Sequence, residues 1–164
     1  MKRSYEILVG IGKSTVANLI AKKAKNKIAV VDADYYRVTM LFPKPFDGND
    51  LAALMKQDVL YCLEHGYDII WDSIFYANNR NKKYLGEFLT NIHPTDNFIF
   101  NFDVSFEESV RRHEQRHKSN DFTADDMREW YHPIESLGYD FEYLIPESNS
   151  IDQTVEFIKQ TTSI

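Results

Sequence analysis

The chain has 164 residues, 43% of them hydrophobic and 14% aromatic, enough to bury one sizeable core and too short for a second large domain, so a single domain over 1–164 is expected. A formal charge of -6 argues against a protein that works by neutralising long stretches of nucleic-acid phosphate. Cys62 is the sole cysteine, which excludes an intrachain disulfide, and no stretch approaches the ~20 apolar residues of a membrane span, so a cytoplasmic location is expected.

Short β-like apolar runs alternate with longer helical ones, the pattern of a parallel sheet covered by helices. The strand candidates are residues 5–9, 27–32, 67–72, 97–104 and 142–145. Their near-continuous apolar character suits strands buried on both faces. After the first of them, "STVANLIAKKAK" sets Val16, Leu19, Ile20 and Ala24 on one helical face and ends in lysines, which suit a helix C-terminus. A second helix is expected over 50–65, stopping at Gly66, and Tyr84, Leu85, Phe88, Leu89 and Ile92 form a third stripe. Two later helices begin with capping-box patterns, Ser105 with Glu108 and Ser150 with Gln153, the last helix running 151–161. Residues 118–141 are polar and aromatic without a clear period, which suits a mobile flap.

Between the first strand and the first helix stands "ILVGIGKST", residues 7–15. A phosphate-binding loop reads G-x-x-x-x-G-K-[ST], and Gly12, Lys13 and Ser14 match its second half. Backbone N–H groups of Gly10, Gly12 and Thr15 at such a helix start would cradle phosphate, Lys13 would reach the β- and γ-phosphates, and Ser14 would hold Mg²⁺. The first-glycine place falls on Ile7, inside the apolar run, so the loop is about three residues short rather than substituted at one position. Residues missing from the loop are the favoured explanation, which predicts an interruption of the chain between Val9 and Gly10.

At the end of the second strand, "VVDADYYR" places Asp32, Asp34 and Arg37 where ligands bind in open α/β sheets, outside the carboxyl ends of the strands. Asp34 is the candidate general base toward an acceptor hydroxyl, with Asp32 and Arg37 as acceptor contacts; an Asp-rich helix cap is the competing reading. Asp72 closes the third strand as a candidate Mg²⁺ ligand with Ser14, and Arg80 follows as another acceptor contact. Arg112 and Arg116, four apart on one helical face, could spread over charge in phosphoryl transfer; a solvated face paired with Glu107 and Glu108 is the alternative. The same helix contains "HEQRH", residues 113–117, a literal H-E-x-x-H zinc pattern with Glu135 or Glu142 as possible third ligand. Its cationic neighbours oppose a zinc site, so surface histidines are expected.

Taken together, "GKSTVANLI", "DADYYR", "FDVSFEESVRRHEQRHKS", "DMREWY" and "YLIPESNSIDQTVEFI" resemble the small P-loop kinases, the group holding polynucleotide 5′-kinase, zeta-toxin-like and chloramphenicol phosphotransferase-like enzymes and bacterial proteins described as uridine kinases or AAA-family ATPases. The resemblance implies a three-layer α/β fold with about five parallel strands, helices on both faces and a small helical lid at about 105–131. It also implies ATP and Mg²⁺ as cofactors, a small-molecule acceptor hydroxyl, Asp34 in the catalytic position, Arg112 and Arg116 in the lid, and Trp130 in the lid's closing helix. No N-K-x-D guanine motif occurs, since "NKIA" at 26–29 lacks the Asp. A nucleotide-binding domain that catalyses nothing is the second reading, and a zinc hydrolase a remote third.

Overall fold

The structure is a computed structural model, described here for residues 4–10, 12–41, 48–73, 85–86, 88–89, 96–115 and 123–164. Its strands are β1 (Ser4–Gly10), β2 (Ile28–Asp32), β3 (Asp68–Asp72), β4 (Asp96–Asp103) and β5 (Glu142–Pro146). They pair in parallel in the order β2-β3-β1-β4-β5. All five therefore point their carboxyl ends to one edge, where the loops that carry function collect.

Side chains alternate across this sheet, and each face has its own core. On one face Val31, Ile69, Trp71 and Ile99 pack with Met55, Val59 and Leu63 of helix α2 (Gly48–Glu64) and with Leu85, Phe88 and Leu137. On the other, Ile70, Phe100 and Phe102 meet Val16, Ala17 and Ile20 of α1 (Lys13–Lys23) and Val155 and Ile158 of α5 (Ile151–Thr162). β3 is buried along its whole length, its three apolar residues and the aspartates at both ends alike, as suits an inner strand covered on both faces. Among the described residues, no helix is long and apolar enough to cross a membrane.

Several expectations need correction. β1 runs unbroken to Gly10, which pairs with Phe102, so no interruption falls between Val9 and Gly10; Ile11 lies outside the described residues. The expected flap over 118–141 contains a helix, α4 (Ala124–Trp130), which holds Trp130 as the resemblance implies and begins with a full capping box between Thr123 and Asp126. Beyond α4, Leu137 is buried and Ile134, Tyr139 and Phe141 pack against the core, so 131–141 is anchored chain rather than a loose flap. The anchor is Glu142, which accepts hydrogen bonds from Asn101 Nδ2, Ser136 Oγ and the backbone N–H groups of Leu137 and Tyr139. Ser150 and Gln153 form the expected box at α5. At α3 (Phe106–Glu114) the box is one-sided: Ser105 caps Glu108 N–H, while the Glu108 carboxylate turns instead to two arginines. Of the third stripe, Leu85, Phe88 and Leu89 are helical, and Tyr84 and Ile92 lie outside the described residues.

Candidate functional site: a strand-end cluster of Lys13, Asp72, Asp32 and Arg112

α1 starts directly after the first strand, and only Ile11 and Gly12 separate Gly10 from Lys13. Gly12 adopts φ 97°, a left-handed conformation that glycine takes without strain. No side chain caps α1 and its first turn holds no acidic residue, whereas α3, α4 and α5 are capped by Ser105, Thr123 and Ser150. Within α1 itself, then, no acidic side chain stands at the first-turn N–H groups, the arrangement in which a helix start attracts phosphate.

Lys13 turns across the sheet edge, and its Nζ stands 3.0 Å from Asp72 Oδ1. Asp72 is 1% exposed and Lys13 12%, so this is a buried ion pair. Neither Asp72 oxygen accepts a hydrogen bond among the described residues, which leaves a desolvated carboxylate held by charge alone. A metal-ligating cluster of three or more His, Cys, Asp or Glu is absent among the described residues.

β2 and β3 are in register so that Asp32 pairs with Asp72 at the same sheet edge. Burial raises the Asp32 carboxyl above its usual range, the Asp72 and Asp34 charges raise it further, and hydrogen bonds from the backbone N–H groups of Asp34 and Tyr35 oppose the shift. A carboxyl raised on folding costs stability once ionised: the cost is absent below the ordinary Asp range, grows as pH rises through the raised value, and is complete above it. Asp32→Asn is therefore expected to raise the melting temperature at pH 8 and to change it little at pH 3.5, measured by calorimetry. A lower melting temperature at pH 8 would contradict this.

Asp34 is placed differently. β2 ends at Asp32 and the chain turns into helix, so strand alternation does not carry on to Asp34. Asp34 N–H donates to Asp32 Oδ1 at 2.8 Å, and the exposed Asp34 carboxylate, 65% accessible, takes Arg37 Nη2 at 2.7 Å. Asp34 stands immediately before a six-residue π-helix (Tyr35–Met40) and Arg37 lies within it, an irregularity that recurs at functional sites. Its inner side is fixed by buried Tyr36, whose hydroxyl donates to Asp58 of α2 at 2.5 Å.

Arg112 reaches the site from α3. Its Nε donates to Glu108 Oε1 at 2.7 Å and its Nη2 to the Glu147 carbonyl at 3.0 Å. Its Nη1 stands against the turn before α1, 3.4 Å from where a Cβ on Gly12 would sit. Glu147, just beyond β5, is tied to the start of α3 by accepting from both N–H and Oγ of Ser105. Sequence patterns give no hint of Glu147, because its role depends on β5 bringing it beside α3.

The structure thus gathers Gly10, Gly12, Lys13, Asp32 and Asp72 at one edge, with Ser14 in the first turn of α1, Arg112 against the turn, and Asp34 and Arg37 on its exposed side. Arg80, Arg116 and His117 lie outside the described residues. His113 is 7% exposed, which corrects the expectation of surface histidines; together with buried Ser109 it forms the inner face of α3. Glu142, one suggested zinc partner, has its carboxylate committed to anchoring 131–141.

No family model matches the chain, and no curated protein sequence does. Solved structures do. The chain is similar to the Mycobacterium tuberculosis APS kinase CysC in complex with AMPPNP and APS, at 15% identity and TM-score 0.73 over 100% of both chains. It is also similar to a gluconokinase from Sinorhizobium meliloti (13% identity, TM-score 0.65, 99% of this chain and 91% of that one) and to the Deinococcus radiodurans tunicamycin resistance protein (13%, 0.66, 99% and 97%). At these identities the likeness is one of fold: the chain is a mixed α/β protein with parallel strands that has the fold of these kinases.

Proposed function

We propose that the chain is an ATP-dependent phosphotransferase that moves the γ-phosphate to a hydroxyl of a small molecule. The observation that carries this reading is the buried Lys13–Asp72 pair directly beneath an uncapped, left-handed glycine turn at a helix start. The fold it shares with APS kinase and gluconokinase supports the same chemistry. Gly10, Gly12, Lys13, Ser14 and Thr15 would hold the phosphates, and Lys13 and Arg112 would neutralise charge on the moving group. Arg116 is assigned the same task. Asp34 is the proposed base and Arg37, Asp32 and Arg80 the acceptor contacts.

Mg²⁺ fits the donor set, because Asp72 offers buried carboxylate oxygens that accept no hydrogen bond among the described residues and Ser14 lies in the first turn of the adjacent helix. Bound there, Mg²⁺ would supply neutralisation of the phosphate charge. Asp72, released from Lys13 when that lysine turns to phosphate, would hold it through oxygen.

The short turn favours one other reading, a domain that binds nucleotide and transfers nothing, since a loop with fewer residues presents fewer backbone donors. A screen of ATP consumption with Mg²⁺ across nucleosides, sugars, sugar nucleotides and aminoglycoside-type hydroxyl compounds separates the two. Acceptor-dependent ADP release, abolished in Lys13→Ala, is expected. ATP binding by calorimetry with no turnover on any acceptor would favour the binding domain.

A further inference from the structure

The turn between β1 and α1 leaves one residue between its glycines where the full phosphate loop has four. Backbone N–H groups are the main donors such a loop offers to a phosphate chain, so this turn is poorer in them. Arg112 stands at that place. Its Nη1 lies 3.4 Å from a Cβ position on Gly12. Two of its other nitrogens are already committed, Nε to Glu108 and Nη2 to the Glu147 carbonyl, which fixes the plane of the guanidinium. The side chain is only 24% exposed, a low value for an arginine on a helix that a lid reading would leave solvated.

We propose that Arg112 is a resident part of the phosphate cradle, substituting for the missing loop donors in the ground state, and that Glu108 and Glu147 are positioning residues that hold its guanidinium against Gly12. This rests on the phosphotransferase reading and deepens it. It differs from the role expected of a lid arginine, which meets phosphate only on closure and so affects transfer far more than binding.

The frame around Arg112 is built from two pieces of chain, α3 with its cap and the segment after β5. Glu108 lies four residues earlier on α3 and grips both Arg111 and Arg112; the two guanidiniums hold its carboxyl down at about 2, so it stays ionised across the physiological range. Glu147 supplies its backbone carbonyl to Arg112 and its side chain to Ser105, locking the chain after β5 to the start of α3. Because Glu108 is spent on this grip, it cannot return to cap the Ser105 N–H, and Glu147 caps it instead. The Glu147 carboxylate thereby takes the place that a simple capping box gives to Glu108, which leaves Glu108 to hold the guanidinium against the turn.

The test uses the full chain and ATP with Mg²⁺, followed by titration calorimetry, with adenosine as a phosphate-free probe in the same assay. Arg112→Ala is expected to weaken ATP binding about ten- to a hundredfold, the scale of losing a charge-assisted contact, and to leave adenosine binding unchanged. Glu108→Ala should weaken ATP binding about three- to tenfold with an unaltered melting temperature, and Glu108→Gln, which still accepts from Arg112 Nε, should recover most of it. If ATP binding depends on Lys13 but not on Arg112, the cradle assignment is overturned while the phosphotransferase reading stands. If Glu108→Ala and Glu108→Gln behave alike, the positioning role of Glu108 is overturned. A parent protein that binds no ATP removes both the reading and the inference.

Discussion

Lys13→Ala is expected to cost stability as well as activity, which is unusual for a residue whose task is to hold a ligand. Asp72 is 1% exposed and neither of its oxygens accepts a hydrogen bond among the described residues, so the ammonium 3.0 Å away is what compensates its buried charge. Removing one partner of a buried pair leaves an uncompensated charge and costs about 3–5 kcal/mol. For a chain of this size that corresponds to a fall in melting temperature of roughly 6–20 °C. Asp72→Asn placed in the Lys13→Ala background removes the orphaned charge and should restore most of the loss, because taking out both partners is far cheaper than taking out one. Transfer of phosphate should stay absent in both variants. The check is a thermal unfolding curve for each variant beside an ADP-release assay; a single mutant that melts within 2 °C of the parent would mean that Asp72 is compensated in some other way.

The sequence carried the fold a long way because the five apolar runs that become strands are separated by amphipathic stretches whose period differs. It was also legible that Gly12, Lys13 and Asp72 belong to one site, since a parallel sheet delivers every strand's carboxyl end to one edge. What stayed hidden depends on contacts between distant segments. Glu108 grips Arg112 instead of closing a capping box, and the Ser105 N–H it leaves is taken by Glu147, thirty-nine positions away along the chain and brought close by β5 lying beside β4. His113 reads as one more polar residue among arginines, yet the helix turns it inward with Ser109. The helix at 124–130 is a different case: the resemblance already implies a helix around Trp130, and its start is written locally in Thr123 and Asp126, while its apolar periodicity is slight.

The clearest separation of roles lies between Asp34 and Asp32. The sequence makes Asp32 an acceptor contact beside the base Asp34 and gives it no part in holding Asp34 in place. In the structure the strand ends at Asp32, and Asp32 Oδ1 holds the turn by accepting from Asp34 N–H. Asp32 is therefore part of what positions Asp34, and Asp32→Asn, which keeps an acceptor oxygen, is a better comparison than Asp32→Ala. Asp34→Asn is expected to bind ATP nearly as well as the parent, because Lys13, Gly12 and the helix start are untouched. Loss of a general base should slow the chemical step about 10²–10⁴-fold in single-turnover measurements with an acceptor identified by the screen. The pairing with Arg37 at 2.7 Å adds a second consequence: Asn cannot hold the guanidinium by charge, so the Michaelis constant for the acceptor should rise while that for ATP stays level. Asp32→Asn should keep more of the chemical rate than Asp34→Asn, since it removes charge but leaves the turn closed. If the order is reversed, with Asp34→Asn turning over normally and Asp32→Asn slow, the base is the half-buried carboxylate beside Asp72, and its raised proton affinity becomes the property that suits it to the task.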